Sequence, residues 1–359
     1  TFPALRSASS AAAARGALLV NYCGVTGLIH EDGRIKGLTC RDSETGSAYK
    51  VSARCVINAA GVWVDEIRRQ DGAATGRPAK AMVAPSQGVH IVVDKEFLPG
   101  SHALMVPKTA DGRVLFGVPW LGKVILGTTD TPRGDLAREP RPFHEELEFI
   151  LGESAHYLSK APRREDIRSM WVGLRPLVKP DKDDGDETKT LSREHTVLAS
   201  RSGLITVTGG KWTTYRAMAE DVLEKCFEKS LLPKAKRGVT TNLTLIGGEG
   251  VTGKTGSISA PQGLHSYGGE AAEVAAMPGA DRVLAPGLTE AMVRFAARKE
   301  YARTCEDVLA RRARTLFLDA RLAGQLATGV GELLREETGV DPQVEGFRAL
   351  SDLYLRLPN

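Results

Sequence analysis

The stretch Leu204-Ile205-Thr206-Val207-Thr208-Gly209-Gly210-Lys211-Trp212-Thr213-Thr214-Tyr215-Arg216-Ala217-Met218-Ala219-Glu220 decides the fold. A short β-favouring run enters a glycine pair, and a helical pattern follows from Tyr215 to about Lys229. A strand, a small-residue turn and a helix form the half-unit of an α/β lobe, whose helix-start N–H groups face a bound ligand. The same order occurs upstream. Apolar Cys55-Val56-Ile57 ends in Asn58-Ala59-Ala60-Gly61, and Trp63 to Arg69 has helical spacing with acids early and bases late, as the helix dipole favours. Both turns are small enough for a cofactor to approach the backbone. Each also has a plainer reading, a tight turn with an exposed lysine for Gly209-Gly210-Lys211 and strand–helix packing for Asn58 to Gly61.

Toward the N-terminus, Ala4 to Arg15 reads as a helix and Ala17 to Tyr22 as a strand. Gly24 to Ile29 is a second strand reversing at Glu31-Asp32-Gly33-Arg34, a hairpin signal. Leu38 to Arg41 and Tyr49 to Ser52, around a turn at Glu44-Thr45-Gly46, complete a small antiparallel meander. Short β-rich runs then recur at Val89–Val93, Leu104–Pro107, Val114–Pro119 and Val124–Thr128, a spacing that suggests an antiparallel sheet. Phe143 to Ser159 is an amphipathic helix, and Ile167 to Val178 is a strand end entering a loop. Asp181 to Lys189 reads as a solvated charged loop. Gly247 to Gly287, rich in Gly, Pro, Ser and Ala, reads as linker and loops. Thr289 opens one helix; Thr304 and Asp307 form a capping box, with Asp in place of Glu, that opens another running through Leu318.

The 359 residues fit two or three lobes, and 42% hydrophobic with 26% charged residues is a globular composition. A net charge of +4 is too small to signal a nucleic-acid binder, though it permits weak attraction to an anionic membrane surface or substrate. Five scattered cysteines without a CxxC pair suggest neither a disulfide framework nor a zinc site, so no metal is expected and a reduced, cytosolic compartment is the easier reading. No run approaches the roughly 20 apolar residues that span a bilayer, so membrane contact is expected to be peripheral.

Gly248-Glu249-Gly250-Val251-Thr252-Gly253-Lys254-Thr255 fits two phosphate-loop patterns at once. A phosphate loop needs a helix after it, and Gly256-Ser257-Ile258-Ser259-Ala260-Pro261-Gln262-Gly263 cannot supply one, so a flexible linker is the better reading and a nucleotide hydrolase the dissenting one. Arg175, in Gly173-Leu174-Arg175-Pro176, suits a planar bidentate grip on phosphate, against a surface ion pair. His90 lies between Val89 and Ile91 on a strand, where a histidine is more often structural than a base.

Six ordered segments together resemble the FAD-dependent glycerol-3-phosphate dehydrogenase family, of the amino-acid-oxidase-like flavoprotein type. They are Cys55 to Asp65, Gly88-Val89-His90-Ile91-Val92-Val93, Ile125-Leu126-Gly127-Thr128-Thr129-Asp130, Gly173-Leu174-Arg175-Pro176-Leu177, Gly209 to Glu220, and the tail Arg303 to Arg312. The resemblance implies an α/β (α+β) fold, with an FAD-binding lobe over 1–80 and 190–230 and an antiparallel-sheet substrate lobe over 81–189. A Gly-rich linker with loops (231–285) and a helical C-terminal domain (286–359) complete it. The family's N-terminal strand and GxGxxG turn have no counterpart here, so an N-terminally truncated fold is expected, with poor solubility or partial disorder near Thr1 to Ala60 and around Gly209.

By the same resemblance Arg175 grips the substrate phosphate, His90 is the base at the C2 hydroxyl, and Lys211 lies near flavin and substrate oxygens. Asn58, Ala59, Ala60, Gly61, Trp63, Gly209, Gly210, Lys211, Trp212 and Thr213 line FAD, and Val25 contacts its adenine side. The implied reaction converts glycerol 3-phosphate to dihydroxyacetone phosphate and passes electrons to quinone, in a cytoplasmic protein peripheral on the inner face of the cytoplasmic membrane. A homodimer is left open. The alternatives are an oxygen-using glycerol-3-phosphate oxidase, a sarcosine or amino-acid oxidase, and an inactive fragment that keeps the fold.

Overall fold

The computed structural model describes residues 2–109, 112–179, 194–249 and 257–359. After helix α1 (Phe2–Ala13), strands β1 (Cys23–Glu31), β2 (Arg34–Asp42) and β3 (Ala48–Ser52) form an antiparallel meander. Its first turn is Asp32-Gly33, at φ 50° and 70°, the left-handed pair that matches the twist of two paired strands. The expected strand over Ala17 to Tyr22 is not there. Strand N–H and C=O groups need a ladder partner, and pairing starts only at Cys23 opposite Asp42, after Tyr22 has turned left-handed at φ 54°.

Strand β4 (Ile57–Asn58) follows, then a 3₁₀ turn at Gly61–Trp63 and α2 (Val64–Ala74), which runs five residues past the expected end at Arg69. The sheet of the middle segment is built from β5 (Val83–Asp94), β6 (Leu104–Val106), β7 (Leu115–Trp120), β8 (Lys123–Gly127) and β9 (Thr131–Pro132). Helix α3 (His144–Tyr157) precedes its last strand, β10 (Ser169–Val178). Among the described residues its order is β10-β5-β8-β7-β6, with β9 also on β5, and all these pairs are antiparallel. The segment expected to leave the sheet as a loop instead pairs with β5 along its whole length, from Ser169 opposite Val92 to Val178 opposite Val83.

Side chains alternate across a strand, and β5 uses the two faces differently. Val89, Ile91 and Val93 pack with Val124, Leu126, Leu147 and Ile150 in the core between the sheet and α3. Ser86, Gly88 and His90 project from the opposite face. That division leaves one face for stability and the other for chemistry.

Strand β11 (His195–Ala199) runs antiparallel to β12 (Ile205–Gly209), which pairs parallel with β4 through Ile205–Ile57 and Thr206–Asn58, and α4 (Tyr215–Glu228) follows. This parallel pair is the α/β element that the sequence calls for. The segment expected to be linker and loops holds, among its described residues, a 3₁₀ helix (Leu264–Glu270), α5 (Ala271–Ala275) and β13 (Val283–Ala285). Val274 and Ala285 are buried in the C-terminal core, so apolar burial orders what local periodicity does not reveal.

Strand β14 (Leu288–Thr289) pairs with β13 and leads into α6 (Glu290–Lys299). The expected capping box is formed, Thr304 Oγ1 accepting from Asp307 N and Asp307 Oδ2 from Thr304 N, each at 3.2 Å. The helix it opens does not reach Leu318 unbroken. A π-helical stretch, Asp307–Arg312, stops at Arg314 in a left-handed conformation, and α7 (Thr315–Leu318), α8 (Ala320–Thr338) and α9 (Val344–Leu355) follow. The charged loop Asp181–Lys189 and the Gly250–Thr255 part of the phosphate-loop pattern lie outside the described residues.

Candidate active site

Because β4 and β12 are parallel neighbours, the turns after them leave the same sheet edge, where ligands bind in α/β sheets. Thr208 Oγ1 donates to Gly61 O at 3.4 Å, tying the two turns together. Asn58 is buried and holds its turn, donating from Nδ2 to Val64 O at 2.9 Å and accepting from Ala60 N at 3.3 Å. Its side chain therefore supports the turn, while Ala59, Ala60, Trp63 and Ile57 face outward. Gly209 and Gly210 are both left-handed, at φ 76° and 75°. A Cβ on Gly209 would lie 2.6 Å from Glu194 O, so only glycine fits there.

Lys211 and Thr213 stand exposed beyond the glycines, and Trp212 stacks on Tyr215 with ring centroids 5.1 Å apart. Val25 lies on β1, in the separate meander sheet, 45% exposed. Small residues at two adjacent strand ends, with exposed Ile57, Trp63 and Trp212 beside them, suit a flat ring system with polar edges. The donor set thus fits a flavin.

The face of Ser86, Gly88 and His90 carries the second set. Arg175 on β10 pairs with Ser86, and its guanidinium occupies the space where a Cβ on Gly88 would project. Thr128 Oγ1 accepts from Arg175 Nη2 at 2.9 Å, and Asp130 Oδ1 lies 3.7 Å from Nη1 while also accepting from Ser86 Oγ. Arg175, Thr128, Asp130, Arg113, Val114 and Phe116 line a cleft of about 350 Å³.

The His90 ring stacks on Trp171 at 4.3 Å and 17°, and its Nδ1 is buried with no hydrogen-bond partner. Burial, and next the Arg175 cation, push its pKa down to about 4. The ring is therefore neutral at pH 7. Arg175 and His90 are thus brought onto one face, and β10 connects them to the glycine turn. Val178 Cγ2 would lie 2.9 Å from a Cβ on Gly209, and at ~3.3 Å of strand rise per residue Arg175 is about 10 Å along β10 from Val178. Among the described residues no hydrogen bond or ion pair joins Lys211 to either side chain.

Sequence reasoning assigned no role to Gly88, Thr128, Asp130 or Trp171, although each lies in or beside a quoted motif. The alternation along β5 was a usable signal over its middle, since Ser86, Gly88 and His90 share a parity opposite to Val89, Ile91 and Val93, although apolar Val92 shares theirs. Glu146 on α3 is another such residue. Buried beneath the sheet, its carboxylate accepts from Gln87 Nε2, from Thr129 Oγ1 at 2.8 Å, from Thr131 Oγ1 at 2.7 Å and from Phe143 N at 2.9 Å. It fixes the loop that carries Thr128 and Asp130.

Residues 3–216 match the family described as FAD dependent oxidoreductase. The chain belongs to that family. Residues 238–345 match the C-terminal domain of alpha-glycerophosphate oxidase. The chain is similar to the FAD-complexed glycerol-3-phosphate dehydrogenase of Bacillus halodurans, with a TM-score of 0.79 and 26% identity over 99% of this chain and 72% of that one. It is 37% identical to a mitochondrial glycerol-3-phosphate dehydrogenase of Arabidopsis thaliana over 91% of this chain and 56% of that protein. For the human mitochondrial enzyme of that name the figures are 39%, 92% and 48%. The chain spans about half the length of the curated relatives it matches. The antiparallel sheet beside a parallel pair and the helical C-terminal unit are the fold of this FAD-dependent family.

Proposed function

We propose that this chain carries the substrate-binding part of an FAD-dependent oxidation of sn-glycerol 3-phosphate to dihydroxyacetone phosphate. The observation that carries the reading is the shared sheet face, with a guanidinium at an open cleft and, two residues along β5 from Gly88, a half-buried imidazole that makes no hydrogen bond among the described residues. Arg175 offers a planar fork to the phosphate dianion and so converts remote binding energy into orientation at C2. His90, neutral at pH 7, accepts the C2 hydroxyl proton at a ring nitrogen. Phosphate on Arg175 offsets the cation that helps to depress the His90 pKa, so the bound substrate itself makes the base stronger. Bound FAD, held by Ala59 to Gly61, Trp63 and Gly209 to Thr213, supplies the hydride acceptor. Lys211, past the same turn, places a cation at that rim.

Onward transfer to a quinone is part of this reading, at the inner face of the cytoplasmic membrane and with the protein bound peripherally, as a monomer or a homodimer. The relatives are dehydrogenases by name, which favours an acceptor other than oxygen; among the described residues no helix is long and apolar enough to cross a membrane. An oxygen-using oxidase is the second reading, favoured by the match of residues 238–345. The test is the visible spectrum of the protein with FAD, before and after anaerobic glycerol 3-phosphate. Bleaching of a bound flavin band is expected; a bound flavin that stays oxidised, or no bound flavin, overturns the proposal for this chain. Rapid recovery of the band in air selects oxygen over quinone.

A further inference from the structure

We propose that Trp171 is a positioning residue for His90: the indole plane holds the imidazole, and Phe317 of the C-terminal helical unit holds the indole. This rests on the reading of His90 as proton acceptor. A catalytic histidine is commonly oriented by a carboxylate or carbonyl on its second nitrogen. Here the ring is fixed by its faces and edges. Trp171 stacks at 4.3 Å on one side. On β8, Gly127 lies so close that a Cβ there would be 2.6 Å from His90 Cδ2. A ring gripped in this way needs no hydrogen bond to hold its direction toward the substrate.

The grip extends outward. Trp171 meets Phe317 edge to face at 5.5 Å, and Phe317 meets Tyr354 of α9 at 5.7 Å. Tyr354 in turn donates to Glu139 at 3.1 Å. Two hydrogen bonds tie this region to the start of β10: Ser169 Oγ donates to Phe317 O on α7, and Ala320 N, at the start of α8, donates to Arg168 O at 3.1 Å. The indole N–H of Trp171 is itself buried with no partner. The flat aromatic face, and not a hydrogen bond from the indole N–H, is therefore the property in use. The charged groups on the His90 side are Arg175 from β10 and, beyond it, Asp130; β8 presents Gly127, the loop after it Thr128, and α7 places Phe317 behind Trp171.

The test uses FAD-loaded protein bearing Trp171→Ala, Trp171→Phe, Phe317→Leu or His90→Gln, with anaerobic flavin reduction followed against glycerol 3-phosphate concentration. Nitrogen-15 histidine spectra are recorded against pH on the same proteins. Trp171→Ala is expected to lower the maximal reduction rate about ten- to a hundred-fold, the scale of lost orientation, while substrate affinity changes less than about threefold. Its His90 resonance, identified by loss in His90→Gln, should titrate nearer 6.5 as water reaches the ring, and Trp171→Phe should restore most of both. A wild-type rate with an unmoved His90 titration overturns the proposal, as does a slower rate with unmoved titration, the mark of a structural role. Should Trp171→Ala not fold, Phe317→Leu must shift the same resonance for the proposal to stand. A wild-type rate in His90→Gln sinks the proton-acceptor reading instead, and the spectra still decide whether Trp171 holds the ring.

Discussion

Gly88 shows how much a single missing carbon can decide. Its Cα hydrogen faces the guanidinium of Arg175, and a methyl group there would also lie 2.6 Å from Thr128 Oγ1, so neither partner could stay in place. Gly88→Ala should therefore displace Arg175 and raise KM for glycerol 3-phosphate about ten- to a hundred-fold, the worth of a charged hydrogen bond at ~1.5–3 kcal/mol. Steady-state kinetics would check this, and a KM unchanged from wild type would contradict the cradle. Arg175 and His90 were legible in the sequence through their motifs, but Gly88 was not. A glycine inside a strand reads locally as a weak position, and its purpose becomes visible only when β10 is laid beside β5.

Among the elements, the turn from β12 into α4 was the most legible and is the most constrained. Consecutive left-handed residues at Gly209 and Gly210 suit only glycine, and Glu194 O blocks a side chain on the first. Gly209→Ala should cost at least ~1–2 kcal/mol for the left-handed backbone alone, with more from the collision. A fall in Tm of at least roughly 1–3 °C is expected for a chain of this length, together with weaker FAD binding; calorimetry and flavin titration would measure both, and an unshifted Tm would contradict the constraint. The misread elements share one cause. Ala17 to Tyr22 has strand-like residues but no ladder partner, whereas Leu264–Ala285 has little periodicity yet carries Val274 and Ala285 into a core. Propensity and period report on a segment alone; pairing and burial depend on what lies across from it.

At the scale of the whole molecule, the C-terminal helical unit is joined to the meander as well as to the substrate sheet. Tyr22 donates to Asp307 at 2.6 Å and contacts Thr304 at 3.1 Å, Asn21 Nδ2 donates to Tyr301 O at 2.8 Å, and Arg303 grips Glu44 at 2.8 and 2.6 Å. Burial and the neighbouring carboxylate push the Tyr22 phenol up to about 12, consistent with an O–H committed to donation. Tyr22→Phe should lower stability by about 1–2 kcal/mol, read as a shifted midpoint in urea, and no shift would show that this seam adds nothing. By itself the sequence determined the family, the α/β half-units, the antiparallel sheet and the two residue types that the proposed chemistry needs, because motifs and alternation are local properties of the chain. Only the tertiary structure decided which strands became neighbours. That placed Arg175 over Gly88, stacked Trp171 on His90 and set Phe317 behind it, since contacts between residues far apart in sequence are fixed by packing and not by any local pattern.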